Sequence, residues 1–253
     1  MDRTLNFAKR NLKEMLRDPL IYIFCLGFPV VMFVLFQVLN KYSSGNTPIF
    51  ELPALLPSII MFSYTFVMLT TTLLVSKDRQ TFFLQRLYSS PMRARHFVLG
   101  YALVGLFIGV AQTIVCVLTG VIIALIAQTG FVSFGGILLV AVSQLPMLIM
   151  NVFLGVLFGT VFNDKSAPGV SSIFISLTGI LGGCWMPIES MGGFQTFCRF
   201  LPFYPSVYIG RVATGVYTFD EVALWGIIPI AVCTLVSVLL TFALFKREMK
   251  KDK

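Results

Sequence analysis

Between His96 and Asn163 the chain carries no Lys, Arg, Asp or Glu. A stretch of that length without charge cannot be kept in water by its own surface, and a bilayer span takes roughly 20 mostly apolar residues. The run is therefore long enough for two spans and a turn. Residues 127 to 136, Ala-Gln-Thr-Gly-Phe-Val-Ser-Phe-Gly-Gly, supply the turn, because Gly and small polar residues suit a bend better than a helix interior. Four more runs free of charge cover residues 19–40, 52–76, 166–188 and 222–245, giving six spans in all. Composition agrees: 57% of residues are hydrophobic and 12% charged, against roughly 45–50% and about 25% in a soluble domain.

The expectation is an all-α integral membrane protein with spans at 20–40, 54–76, 98–126, 137–162, 167–186 and 222–245. Before them, residues 2–18 place Leu5, Ala8, Leu12, Met15 and Leu16 at helical spacing, with cations largely elsewhere, which predicts an amphipathic helix in the membrane interface. Pro19 separates it from the first span, since the residue before proline is pushed out of the helical region. The first apolar run follows this basic helix and lacks a small-residue cleavage site, so the first span is expected to remain as an anchor. Residues 41–53, with Ser43, Ser44, Gly45, Asn46, Pro48 and Pro53, form a short outer loop. The fifth span breaks at Gly182-Gly183. Residues 187–221, interrupted by Pro202 and Pro205, predict short helices re-entering the outer leaflet, where irregular backbone must be buried in protein or lie beside water.

Charge sets the expected orientation. Five cations precede Pro19, five lie between residues 77 and 96, Lys165 sits in a turn, and five follow residue 245. Together they make sixteen of the nineteen Lys and Arg, leaving Lys41, Arg199 and Arg211 opposite. By the positive-inside rule both termini are cytoplasmic. The net charge of +8 is then a topology signal plus attraction to anionic lipid, and no basic stripe on a soluble domain points to nucleic acid.

Chemistry is sparse. The single histidine, His96, stands at the start of the third span beside Arg93 and Arg95, and no metal-ligand set accompanies it. The apolar runs hold no carboxylate at mid-depth, where an ion-coupled carrier places its coupling groups. The dipeptide Gly-Lys is missing, so no phosphate-cradling loop is present and any ATP hydrolysis must come from a partner. Cys25, Cys116 and Cys233 lie in apolar runs as small hydrophobes, while Cys184 and Cys198 both fall on the outward side, where an oxidising exterior would permit pairing. Gly105-x-x-x-Gly109 and Gly155-x-x-x-Gly159 provide small faces for close helix approach within the subunit.

Three stretches carry a family resemblance. A basic interfacial helix leads through Arg17-Asp18-Pro19 into the first span. Asp78-Arg79 is followed by Leu84-Gln85-Arg86-Leu87 and Ser90-Pro91. Gly183-Cys184-Trp185-Met186-Pro187-Ile188-Glu189-Ser190-Met191 is followed by Phe200-Leu201-Pro202-Phe203-Tyr204 and Arg211. The chain resembles the permease subunits of ATP-binding cassette (ABC) type-2 exporters, departing from them at Phe82-Phe83, where that family commonly has Gly-Thr. The resemblance implies a cytoplasmic coupling helix at 78–91, with Asp78, Arg79, Phe83, Gln85, Arg86, Leu87, Ser90 and Pro91 facing a separate ATPase. It implies an external hairpin in which Pro187, Glu189, Phe200, Pro202, Tyr204 and Arg211 form a gate. It also implies two ATPase subunits, a second permease that is identical or related, ATP and Mg held by the partner rather than by this chain, and a place in the plasma membrane.

A substrate path between subunits would use spans one, two and five, with Met61, Phe62, Phe66, Ser172, Phe174 and Ser176 as candidates. Its lack of charge favours hydrophobic or amphipathic cargo such as drugs, lipids or lipid-like natural products. A permease for polysaccharide or wall polymer, and a membrane enzyme or assembly factor without transport, are the alternative readings.

Overall fold

The structure is a computed structural model that describes residues 2–42, 48–81, 92–128, 130 and 132–251. Among these residues it is helical throughout, with no strand. Helix α1 spans Asp2–Met15. Asp18 then accepts a hydrogen bond from the Leu20 amide and caps the next helix, with Pro19 at its first position, an arrangement that satisfies an amide the helix leaves unpaired. That helix, α2, runs Pro19–Tyr42 and contains one widened π turn at Tyr22–Gly27.

Helix α3 covers Leu52–Gln80, α4 Ala94–Ala127 and α5 Phe134–Val161. They are followed by α6 at Ala167–Leu181, two short helices, α7 at Gly193–Arg199 and α8 at Phe203–Ala213, and finally α9 at Glu221–Lys251. Five of these, α2, α3, α4, α5 and α9, are long and apolar enough to cross a membrane, and α6 is a shorter apolar helix. The fifth span predicted at 167–186 ends as a helix at Leu181. Gly182 caps it, and Gly183 turns the chain with a φ of 63° that a residue with a side chain rarely adopts.

Helix α3 is the centre of the bundle. Of its most apolar window 89% is buried, against 17% for α9, so α3 is wrapped by protein while α9 shows Leu235, Leu239 and Leu240 outward. Large apolar side chains are likewise exposed along α2 and α4, among them Val31, Leu35, Phe107 and Ile114, as expected of surfaces solvated by lipid. The paired glycines do what their spacing suggests. A Cβ on Gly155 or Gly159 would come within 2.7 Å of the Met68 carbonyl or 2.6 Å of the Thr72 carbonyl, so only glycine lets α5 lie this close against α3.

Four basic segments meet at one end of the bundle. Thr4 hydrogen bonds with His96 at 2.9 Å, Arg10 with Asp78, Ser76 with Asp164, and Arg79 pairs with Glu248. The charge grouping read from the sequence is thus a physical cluster, termed here the basic end. Helix α1 does not present the predicted face inward. Phe7, Ala8, Asn11 and Met15 are buried, whereas Leu5 and Leu16 are exposed. The buried stripe exists because α1 packs on α4, with Phe7 edge-on to Phe97 at 5.4 Å and to Tyr101 at 5.0 Å.

Candidate functional site

The predicted site residues fall into three places. At the basic end, the unbroken course of α3 to Gln80 absorbs the first residues of the expected coupling segment. Asp78 is 2% exposed and faces into the chain. Arg10 grips both of its carboxylate oxygens, at 2.8 and 3.1 Å, and the Tyr101 hydroxyl donates to Oδ2 at 2.6 Å. A bidentate guanidinium–carboxylate pair is among the stronger charged contacts, and here it ties α1, α3 and α4 together. Glu14 extends it, 2.6 Å from Arg10 and 3.7 Å from Lys77. Burial by itself lowers the Arg10 pKa, but the hydrogen bonds and charge of Asp78, with the charge of Glu14, outweigh it and raise the pKa above its ordinary value. Arg79 turns to Glu248 at the end of α9, 3.8 Å away. Phe83, Gln85, Arg86, Leu87, Ser90 and Pro91 lie outside the described residues.

At the opposite end, the chain after α6 doubles back. A turn of 3-10 helix at Ile188–Ser190 precedes α7 and α8, which supply the short helices expected there. Arg211 holds this hairpin on α3. It is 1% exposed and donates to the Ala54 carbonyl at 3.3 Å, the Ser58 hydroxyl at 3.2 Å, the Gly183 carbonyl at 3.1 Å and the Glu189 carboxylate at 3.3 Å. Tyr217 also donates to Glu189, at 3.1 Å. A planar cation with donors on several edges suits such divergent acceptors, where a lysine would reach fewer.

Tyr204 is buried and accepts from Gln195 at 3.2 Å, and Pro202 is buried at the start of α8. Pro187 and Phe200 are exposed, the latter by 77%. Cys184 and Cys198 are both free and buried in separate apolar clusters, so they do not pair. Gln144 of α5 and Ser206 of α8 exchange two 2.8 Å hydrogen bonds, fixing the hairpin to a second helix.

The six path candidates are not brought to one surface of the chain. Met61 is fully buried, and Phe62 and Phe66 are nearly so. Phe66 lies 4.6 Å from Phe28, Phe62 lies 5.0 Å from Trp185, and Trp185 stacks on Phe36 at 4.5 Å. This aromatic ladder joins α2 to α3 below the hairpin. Phe174 packs inward between Phe158 and Phe203. Ser172 and Ser176 face outward, each hydroxyl bonded to a carbonyl one turn back, which frees no donor for a ligand.

Sequence reasoning missed Arg10, Tyr101 and Ser58. Arg10 reads as one more surface cation, and Tyr101 and Ser58 sit inside uncharged runs. An acid at the basic terminus of a span, Asp78, was the available signal that one of the surrounding cations is committed to it.

The fold and these two charged anchors, one at each end of an apolar bundle, define a multi-pass membrane protein. The family model described as ABC-2 type transporter matches residues 4–214, a range that includes both anchors, and the chain belongs to that family of transporter permeases. A search of curated proteins finds no match.

Proposed function

We propose that this chain is the membrane-spanning subunit of an ATP-driven exporter, moving a hydrophobic or amphipathic cargo such as a drug, a lipid or a lipid-like natural product out of the cell. In this reading both termini are cytoplasmic and six spans cross the plasma membrane. Two such subunits, identical or related, work with two ATPase subunits that hold ATP and Mg. The observation that carries the reading is the braced end of α3. Arg10 and Tyr101 on one residue and Glu248 on the next fix the helix where residues 82–91 depart. A segment leaving a clamped helix transmits a push to the bundle centre, whereas one leaving a frayed helix absorbs it. Asp78 then serves as the brace itself, and contact with the ATPase falls to the residues beyond it, Arg86 foremost.

The family supports the transport class, and the apolar ladder along α2 and α3 supports an uncharged cargo. Capture of the tagged chain from its own membranes should bring an ATPase subunit whose hydrolysis rises with cargo. Arg86→Glu should abolish that rise without reducing the amount of chain in the membrane. Movement of solute on an ion gradient by the purified chain alone would refute the proposal.

A further inference from the structure

A cleft of about 1050 Å³ opens at the basic end between α1, the start of α2 and the last turns of α3. This is at or above the upper end of the roughly 300–1,000 Å³ typical of ligand pockets. Its walls differ in kind. One is the polar stripe of α1, in which Lys9, Lys13 and Arg17 recur at helical spacing and are exposed. The other is apolar, with Leu20 and Ile21 from α2 and Leu73 and Leu74 from α3.

The acids of the cleft are already engaged. Glu14 holds Arg10 and Lys77, Asp18 accepts from the Leu20 amide, and Asp164 accepts from Ser76. Among the described residues no carboxylate lies within ion-pair distance of Lys9, Lys13 or Arg17. Three uncompensated cations therefore face a greasy wall at the level where a span meets its interface.

We propose that this cleft binds an anionic phospholipid of the inner leaflet, its phosphate against Lys9, Lys13 and Arg17 and its acyl chains along Leu20, Ile21, Leu73 and Leu74. A basic residue near an anionic surface contributes about 1 kcal/mol, and a phosphate drawn between three of them also gains direct hydrogen bonds. The apolar wall selects a lipid over a free phosphate, because a soluble anion leaves that wall wet. The lipid would wedge α1 against α2 and so stiffen the brace on α3. The assignment to the inner leaflet rests on the orientation proposed above.

The test is native mass spectrometry of the purified full-length chain, with any ATPase that copurifies, exchanged against equal phosphatidylglycerol and phosphatidylcholine of matched acyl chains. Wild type should retain phosphatidylglycerol at least about tenfold over phosphatidylcholine, a factor set by the energy of basic residues near anionic lipid. The triple variant K9Q/K13Q/R17Q should fall towards parity, and K246Q/R247Q/K250Q in the α9 tail should not. Parity in wild type, an unchanged triple variant, or an equal loss in the tail variant would overturn the site. Displacement of the lipid by glycerol 3-phosphate would overturn the lipid as occupant. Loss of the ATPase with lipid retention unchanged in the triple variant would assign these cations to the protein partner and overturn the site as well. A cysteine-accessibility assay on a tag at the N-terminus reads the orientation separately, so failure of the topology is distinguished from failure of the cleft.

Discussion

The two ends of the bundle each contain a buried charge, of opposite sign. At the basic end the hidden member is the acid: Asp78 is 2% exposed while its partner Arg10 is 36% exposed. At the far end the hidden member is the base: Arg211 is 1% exposed and Glu189 29%. Asp78 is satisfied by a charged group and a hydroxyl from two other helices, so its environment depends on a neighbour that reaches water. Arg211 is satisfied mainly by neutral oxygens, two of them backbone carbonyls of α3 and the turn after α6. The first arrangement fastens elements that can separate while leaving both partners a route to solvent. The second is a keystone whose acceptors have no other donor of comparable reach, and it holds a segment of irregular backbone in place.

That contrast can be broken by substitution. Arg211→Leu should have the largest effect, about 3–5 kcal/mol of destabilisation by analogy with removing one member of a buried charged network, read as loss of the folded species in detergent and a lower thermal midpoint. A small shift there would mean that the hairpin is held by Gln144 and Ser206 instead. Arg10→Leu should be milder, about 2–3 kcal/mol, because Arg10 is a third exposed and its loss is softened by solvent. Its signature is recovery in the double variant with Asp78→Asn, which removes the stranded carboxylate; absence of recovery in a double-mutant cycle would mean that Arg10 stabilises through packing. Glu189→Gln should be the smallest, about 1 kcal/mol or less, since Arg211 keeps its three neutral acceptors. An effect as large as that of Arg211→Leu would show that the pair, rather than the arginine, is the keystone.

What the sequence makes legible follows from the solvent. Uncharged runs mark apolar helices because a buried charge is so unfavourable in lipid that its absence is informative, and the glycine pairs mark close contacts because no other residue fits there. The cation grouping is legible for the same reason, and the four segments do converge. Partner choice is not. Three of Arg211's acceptors are a hydroxyl and two carbonyls, and carbonyls occur at every position. The inward turn of Asp78 was hidden because its partner lies 68 residues away among similar cations. The faces of α1 were assigned as if lipid were its only neighbour, so Leu5 and Leu16 were read as buried. Docking on α4 rotates that stripe towards Phe7 and Asn11.

The early stop of α6 bears on the bilayer itself. Fifteen residues rise about 22 Å at 1.5 Å each, short of the roughly 30 Å of a hydrocarbon layer. The missing depth is occupied by the polar turns and short helices that follow, so water and headgroups stand nearer the midplane beside this helix than beside its neighbours. An oily molecule leaving along that side has several ångströms less hydrocarbon to cross, and a thinner membrane would shrink that advantage.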